Sequence, residues 1–209
     1  MQQVKIFRAH DRPITSLDVH PSEPYVLSAS YYDHTIKMWN WEMDWEWVRT
    51  FDVIAGEVKF NPKDADYFAC ATGNGVKVCR IASSGSDDLT FSFGVSEVRC
   101  LDYLSRGDEL YLINGNVDGS VEIWDWQSRS CLKTLKEHTK CVYTIRVHPD
   151  LPLFITGSWD KTVCLWNSIT FELEGKLNCG LGHVNAIACL KGSNRIAIGH
   201  DKGLAITEI

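Results

Sequence analysis

The sequence predicts an all-β fold, a β-propeller in which a unit of about forty residues builds one small antiparallel sheet after another. A repeated segment gives the first indication, and its aligned position falls at residues 39, 79, 124, 166 and 207 of the 209-residue chain. Successive copies are therefore 40, 45, 42 and 41 residues apart. Moreover, no part of the chain keeps the 3.6-residue apolar period of an amphipathic helix, so helix is not the competing structure.

The repeated segment reads as a strand that ends in tryptophan in its best copies. Three copies are clear, at residues 35–41 (TIKMWNW), 120–126 (SVEIWDW) and 162–167 (TVCLWN). Two weaker copies stand at residues 75–79 (GVKVC) and 203–207 (GLAIT). Bulky β-formers such as Val, Ile, Leu and Trp suit a sheet that buries both faces against its neighbours.

A different part of the unit repeats as well. Residues 14–30 (ITSLDVHPSEPYVLSAS) align with residues 142–158 (VYTIRVHPDLPLFITGS) at a constant offset of 128, and two His-Pro turns then coincide. Each turn lies between alternating apolar runs, as expected for neighbouring strands. We therefore predict one propeller domain over residues 1–209. Its repeats are expected near residues 4–46, 47–88, 89–130, 131–172 and 173–209.

The repeat at residues 137–167 closely resembles the WD family. The resemblance implies a hydrogen-bonded chain made of His138, Thr156, Asp160 and Trp166. In such a chain the carboxylate accepts from the buried imidazole and orients it, while the hydroxyl and the indole complete the set. Each bond contributes only about 1 kcal/mol, but leaving one buried partner unpaired costs more.

The other repeats keep this polar chain to different degrees. The first repeat has all four members, which are His10, Ser28, Asp33 and Trp39. Its turn at Tyr31-Tyr32 contains one extra residue. The second repeat has neither the histidine nor the tryptophan. The members that remain in the third and fifth repeats are Asn114, Asp118, Trp124, His183 and Asp201. Missing members predict softer sheets, not an active site.

Ring closure is left open by the sequence. Residues 4–7 read as a strand, and residues 204–209 form the last strand of the fifth repeat, so the two segments are candidates to pair and close the ring. The alternatives are a closed five-blade ring and an open arc that is part of a seven-blade ring. An open arc exposes its end sheets, which is an aggregation liability or a surface for another chain.

Composition narrows the classes of function. The formal charge of -6 and the lack of a basic stripe argue against nucleic acid as a partner. No stretch approaches the roughly 18 to 20 apolar residues of a membrane span. Residues 1–5 (MQQVK) contain no apolar signal core, so nothing suggests secretion.

Eight cysteines raise the question of disulfides or metal. No two of them have the close spacing of zinc ligands, and several stand within predicted strands. We expect small buried thiols in a reducing compartment, with no metal site, and the cytoplasm as the location. The cysteines are Cys70, Cys79, Cys100, Cys131, Cys141, Cys164, Cys179 and Cys189.

Catalytic motifs are not found in the sequence. There is no G-x-S-x-G turn, no phosphate-binding loop and no H-E-x-x-H pair. Most histidines are assigned to the polar chains or to the His-Pro turns. The sequence therefore predicts a protein that is not an enzyme, has no catalytic residues and uses no cofactor.

Beyond the general repeat, particular stretches resemble the coatomer beta-prime family of the COPI vesicle coat. The resemblance spans essentially the whole chain and matches the third to seventh blades of that family's first propeller, so it implies that the first two blades are absent. The stretches that carry it are VKIFRAH (4–10), VHPSEPYVLS (19–28), IKMWNW (36–41), FNPKD (60–64), VEIWDWQSRSCLKTL (121–135) and HPDLPLFITGSWDKTV (148–163).

The resemblance implies a non-catalytic scaffold in protein transport between the Golgi and the endoplasmic reticulum, peripheral to Golgi or COPI membranes. Other coatomer subunits or cargo tails are the implied partners. The alternative is a WD adaptor for another partner, such as a ubiquitin-ligase substrate receptor or a signalling scaffold. Co-purification with coatomer separates the two.

The same resemblance bears on cargo binding. In the family, acidic residues on the top of the propeller receive the two lysines of a dilysine tail. At the corresponding positions this chain has no acids, which predicts that the dilysine site is lost or altered. We expect instead a partner-binding face for an apolar or aromatic peptide, although drift in a copy released from cargo selection explains the changes equally well. The candidate face consists of Arg12, Tyr31, Tyr32, Val117, Trp159 and His200.

Overall fold

The structure is a computed structural model, and it describes residues 5–81, 89–178, 180 and 182–209. Every regular element within these ranges is a β-strand, and the strands form five antiparallel sheets. The described residues contain no helix that is long and apolar enough to cross a membrane. The prediction of an all-β propeller built from repeats is confirmed.

Each of the first four sheets has four strands, and the fifth has three within the described residues. The first sheet contains β1 (Ser16–Val19), β2 (Tyr25–Ser30), β3 (Thr35–Asn40) and β4 (Glu46–Phe51). The second contains β5 (Val58–Phe60), β6 (Tyr67–Thr72), β7 (Gly75–Arg80) and β8 (Leu89–Phe93). The third contains β9 (Val98–Arg106), β10 (Glu109–Asn116), β11 (Val121–Asp125) and β12 (Cys131–Leu135). The fourth contains β13 (Val142–Val147), β14 (Leu153–Ser158), β15 (Thr162–Asn167) and β16 (Leu173–Asn178). The fifth contains β17 (Val184–Cys189), β18 (Arg195–His200) and β19 (Gly203–Glu208).

Strand register places the aligned positions of the repeat at equivalent points in the third strands. Trp39 pairs with Val26 of the strand before it, and Trp166 pairs with Phe154 in the same way. Cys79, which replaces the tryptophan in the second sheet, pairs with Phe68, the equivalent residue of β6. The sequence period therefore corresponds to one complete sheet.

Apolar side chains fill the spaces between consecutive sheets. Phe51 of the first sheet meets Phe68 of the second, with ring centroids 4.9 Å apart. Further along, Ile145 at the start of the fourth sheet packs with Ile113 and Ile123 of the third. Because each such side chain stabilises the fold by about 1.5–3 kcal/mol when fully buried, sheet-to-sheet packing is the main source of stability.

Close packing between sheets requires a small residue near the end of the second strand of a sheet. A Cβ atom on Gly115 would lie 2.6 Å from Val142 Cγ1, and one on Gly157 would lie 2.4 Å from Val184 Cγ1. The first strand of the next sheet thus passes directly over these glycines. The equivalent residue of the second sheet is Ala71, which is fully buried.

The two end sheets have uncovered apolar faces. Leu17 in β1 is 60% exposed, whereas Ile145, its equivalent by the offset of 128, is 0% exposed. Leu204 in β19 is 70% exposed, whereas Val163 at the same point of β15 is 1% exposed. The first and fifth sheets therefore do not pack face to face, and the five sheets form an open arc.

The predicted N-terminal strand is wrong for the part that the structure describes. Residues 5–7 carry no strand, and residue 4 lies outside the described residues. Phe7 instead packs on Trp39, with ring centroids 5.0 Å apart, and Lys5 Nζ forms an ion pair with Asp44. These contacts hold the segment against the first sheet, and β19 pairs only with β18 within the described ranges.

Candidate interaction surface

One end of the arc collects the loops that carry most of the predicted binding residues. We call this end the top face, and we define it by the hairpin loops at residues 31–34, 73–74, 117–120, 159–161 and 201–202, with the segments that enter each first strand. Side chains from the first four sheets share one cavity there. The polar chains described next fix the loops around it.

In the fourth sheet, the structure brings together the four residues that the WD resemblance named. Trp166 Nε1 donates to Thr156 Oγ1 at 2.9 Å, and His138 Nε2 lies 2.8 Å from the same oxygen. His138 Nδ1 lies 3.1 Å from Asp160 Oδ2. A neutral imidazole that donates from Nδ1 and accepts at Nε2 satisfies all three contacts. The loop at residues 159–161 is therefore tied to the interior of the sheet.

Protonation in this chain is set by burial and hydrogen bonds. Burial lowers the pKa of His138, against the opposing effect of Asp160, so the ring favours the neutral form. Burial raises the pKa of Asp160, but hydrogen bonds from the Thr162 hydroxyl and from the Thr139 and Thr162 amides outweigh it and bring the pKa to about 2. The carboxylate thus stays ionised and anchors the loop.

The first sheet repeats this arrangement. His10 Nδ1 lies 2.8 Å from Asp33 Oδ2, and His10 Nε2 lies 2.7 Å from Ser28 Oγ. Trp39 Nε1 donates to the same Ser28 oxygen at 2.8 Å. The extra residue lies in the four-residue turn at 31–34, which lifts two adjacent tyrosines onto the top face.

The third and fifth sheets contain reduced versions of the chain. In the third sheet, Trp124 Nε1 donates to Asn114 Oδ1 at 2.9 Å. In the fifth, His183 Nδ1 lies 3.0 Å from Asp201 Oδ2, and both side chains are 43% exposed. Water competes for such an exposed pair, so it contributes less than its buried counterparts.

Aromatic side chains surround the cavity on the top face. Trp159 stacks on Tyr143 with ring centroids 5.2 Å apart, and the Arg99 guanidinium lies 4.0 Å from the centroid of the same Tyr143 ring. Tyr31 and Tyr32 meet edge to face at 5.5 Å and line the cavity from the first sheet. The cavity measures about 280 Å³, which is sufficient for one large side chain.

The predicted partner-binding residues separate into two groups. Tyr31, Tyr32 and Trp159 are exposed and line the cavity together. Arg12 and Val117 are also exposed, but they do not line it. These two residues belong to the top face without belonging to its cavity.

The placement of His200 on the predicted face is corrected by the structure, because its side chain is buried. The fourth sheet has a three-residue turn at 159–161, whereas the fifth has only two turn residues, Asp201 and Lys202. His200 is consequently the last residue of β18, where it pairs with Gly203. Its Nδ1 accepts from the Lys202 amide at 3.2 Å, so the imidazole supports the turn.

The predicted face named only three residues that line the cavity, Tyr31, Tyr32 and Trp159; Arg99 and Tyr143 are two functionally important lining residues that it did not include. Tyr143 was within reach, because the offset of 128 aligns it with Thr15, a residue that also lines the cavity. Arg99 had one weaker signal, a charged residue between the apolar residues Val98 and Cys100. No pattern in the sequence showed that the two side chains stack on each other.

Metal binding has no support among the described residues, where no three His, Cys, Asp or Glu side chains form a group that could hold an ion. The seven described cysteines are unpaired, and five of them are buried. Burial raises the pKa of Cys164 to about 12, so its thiol stays protonated. Cys131 departs from the expectation because it lies exposed on the outer strand β12. Cys179 lies outside the described residues.

Repeated sheets with histidine–tryptophan polar chains define a WD-repeat propeller region. The family described as "WD domain, G-beta repeat" matches residues 1–40 and 129–167. Within that class, the chain belongs to the coatomer beta-prime family. It matches the WD-repeat region of that subunit in animals and plants.

Three relatives illustrate the match. Coatomer subunit beta' of Rattus norvegicus is 38% identical over 82% of this chain, and that of Drosophila melanogaster is 38% identical over 81%. Coatomer subunit beta'-1 of Arabidopsis thaliana is 41% identical over 82% of the chain. In each case the match spans 19% of the relative's length, so the chain corresponds to about a fifth of these proteins.

Proposed function

We propose that this chain is a non-catalytic scaffold of the coatomer type, which binds other proteins during transport between the Golgi and the endoplasmic reticulum. The observation that carries the proposal is the top face, where loops tied down by buried polar chains hold exposed aromatic side chains around one cavity. Such a rigid aromatic surface is typical of a protein-binding site. The relatives support the coat context and a place in the cytoplasm, peripheral to Golgi or vesicle membranes.

The partners we propose are coatomer subunits. The test is affinity purification of the tagged chain from cells, followed by quantification of coatomer subunits. We expect stoichiometric recovery of coatomer. As a control, Val95→Asp changes an exposed residue that lies between β8 and β9 and does not line the cavity, and we expect it to leave recovery unchanged. Recovery of coatomer at the level of an untagged lysate would contradict the coat role.

We further propose that dilysine binding is lost from this top face. A dilysine tail needs carboxylates for its two ammonium groups, whereas the positions inferred from the family hold Arg12, a tyrosine and Val117. The cavity adds a second cation, Arg99, and presents Glu97 as its one acidic lining residue among those described. Like-charge contacts of this kind disfavour a cationic ligand.

A dilysine peptide titrated into the purified chain tests this loss. We expect no saturable binding at low micromolar concentration. We expect weak binding to be gained by Arg12→Asp, because the substitution replaces a cation that repels lysine with a carboxylate that attracts it. Tight binding by the unchanged chain that disappears in Arg12→Asp would show that the site is intact.

The alternative function is a WD adaptor for a different partner, such as a ubiquitin-ligase substrate receptor or a signalling scaffold. The aromatic character of the cavity favours this alternative, because it matches the chemistry of an apolar peptide. The purification described above distinguishes the two functions. Recovery of one other complex in place of coatomer would favour the adaptor.

A further inference from the structure

We propose that the top-face cavity binds an extended peptide segment with an internal acidic residue next to an aromatic one, and that Arg99 is the partner of the acidic side chain. The proposal rests on the proposed role of this face in protein binding, and it specifies the chemistry of the partner. Trp159, Tyr31 and Tyr32 receive the neighbouring aromatic side chain.

Arg99 is a half-buried cation without an ion pair among the described residues. Its guanidinium lies 4.0 Å from the Tyr143 ring centroid, and that stacking leaves the in-plane N–H groups free to donate. Gly56 leaves room beside it, since a Cβ atom there would lie 3.2 Å from Arg99 Nη1. A planar carboxylate is the group that best matches such a donor set.

The two acids that line the same cavities as Arg99 do not form an ion pair with it. Glu57 is already engaged, because its Oε1 lies 3.4 Å from Arg146 Nη1 and its Oε2 accepts from the Leu101 amide at 3.0 Å. Glu97 lies exposed on the cavity rim and makes no ion pair with Arg99. The cavity therefore keeps an unmatched positive charge in an aromatic surrounding, which strengthens its attraction for an anion.

Three neighbouring cavities form one trough across the top face. The inner cavity of about 180 Å³ shares Thr15, Arg99 and Tyr143 with the main cavity, and it extends to Asn185 in the fifth sheet. An outer cavity of about 380 Å³ shares Tyr31 with the main one and extends along the edge of the second sheet. A trough of this shape fits an extended chain better than a compact molecule.

The position of Arg99 within the trough indicates an internal side chain, not a terminal carboxylate. Open space continues past Arg99 on the inner side and past Tyr31 on the outer side. A peptide that lies along the trough therefore extends beyond the guanidinium in both directions. The acidic group that meets Arg99 then comes from a side chain, with the aromatic neighbour over Trp159.

The test uses an eight-residue peptide, acetylated and amidated so that both ends are neutral, with a central Glu-Phe pair. Binding to the whole chain is followed by the ¹⁵N-indole signal of Trp159, which is assigned by its loss in Trp159→Phe. We expect a saturable shift, and at least about ten-fold weaker binding when Gln replaces the Glu of the peptide.

Variants of the chain complete the test. Arg99→Gln should make the Glu and Gln peptides bind equally, because the partner of the carboxylate is gone. The matched control is Arg129→Gln, since Arg129 also stacks on an aromatic ring, 4.1 Å from the centroid of Phe91, but lies at the other end of its sheet. This control should keep the preference for Glu.

Three outcomes would overturn the proposal. The first is equal binding of the Glu and Gln peptides by the unchanged chain, and the second is no binding of either peptide. The third is equally tight binding of a Gln-Phe peptide with a free terminal carboxylate, which would assign the site to a chain end. None of these results depends on coatomer recovery, so failure here is distinguishable from failure of the proposed coat role.

Discussion

Replacing Thr156 by valine tests whether the polar chain of the fourth sheet stabilises the fold. Valine keeps the shape of threonine and removes only the hydroxyl, which is fully buried. The substitution leaves two buried groups without their partner, the indole N–H of Trp166 and the Nε2 of His138. Each unsatisfied group costs about 1–3 kcal/mol, so we expect a loss of about 3 kcal/mol in the free energy of unfolding.

For a chain of this length, that loss corresponds to a fall of about 6–12 °C in the Tm. The measurement is urea and thermal unfolding followed by tryptophan fluorescence and near-ultraviolet circular dichroism. The matched control is Thr134→Val, because Thr134 lies exposed on the outer strand β12. A cost below about 0.5 kcal/mol for Thr156→Val, or one no larger than that of the control, would contradict a stabilising role of the polar chain.

Three further predictions concern packing, pH and the end faces. Gly157→Ala should destabilise the fold by about 2 kcal/mol or more, because its Cβ would lie 2.4 Å from Val184 Cγ1, whereas Gly175→Ala, with a contact at 3.4 Å, should cost under about 1 kcal/mol in the same urea titration. The pKa values of His138 and Asp160 in the folded chain are lowered from their ordinary 6.5 and 3.8, so the unfolded chain takes up protons at a higher pH than the folded chain. The free energy of unfolding should therefore fall as the pH drops below about 6.5. A urea midpoint that stays constant from pH 7 to pH 4 would contradict this prediction. Leu17→Lys should change the free energy of unfolding by under about 0.5 kcal/mol and reduce self-association in sedimentation, because the leucine is 60% exposed. Ile145→Lys should prevent folding, because the equivalent isoleucine is 0% exposed. Equal effects of the two substitutions would contradict the open arc.

Much of the fold followed from the sequence, because each blade repeats a strand pattern at a fixed spacing. The positions of Trp39 and Trp166 in their sheets needed only the period of the repeat. The site was harder to predict, since it depends on side chains that meet from different sheets. Arg99 and Tyr143 are 44 residues apart in sequence, and their stacking arises from the angle between two sheets, which no local pattern records.

His200 failed for a different reason. Its prediction aligned the turn of the fifth sheet with that of the fourth, whereas one residue fewer in the fifth turn places the position inside β18. In a strand, a shift of one residue exchanges the exposed and buried faces. The imidazole is therefore buried, although the residue keeps its place beside Asp201 in the sequence.

The second sheet shows why an eroded repeat is tolerated in the middle of the arc. It has neither the histidine nor the tryptophan of the polar chain, yet Phe68 and Phe93 are fully buried and neighbouring sheets cover both of its faces. Packing on two sides supplies the stability that the polar chain supplies elsewhere. The fifth sheet has only one covered face and an exposed His183–Asp201 pair. By this argument, amide protection in the fifth sheet should be lost first in hydrogen exchange, and the second sheet, despite its poorer match to the repeat, should be among the last to open.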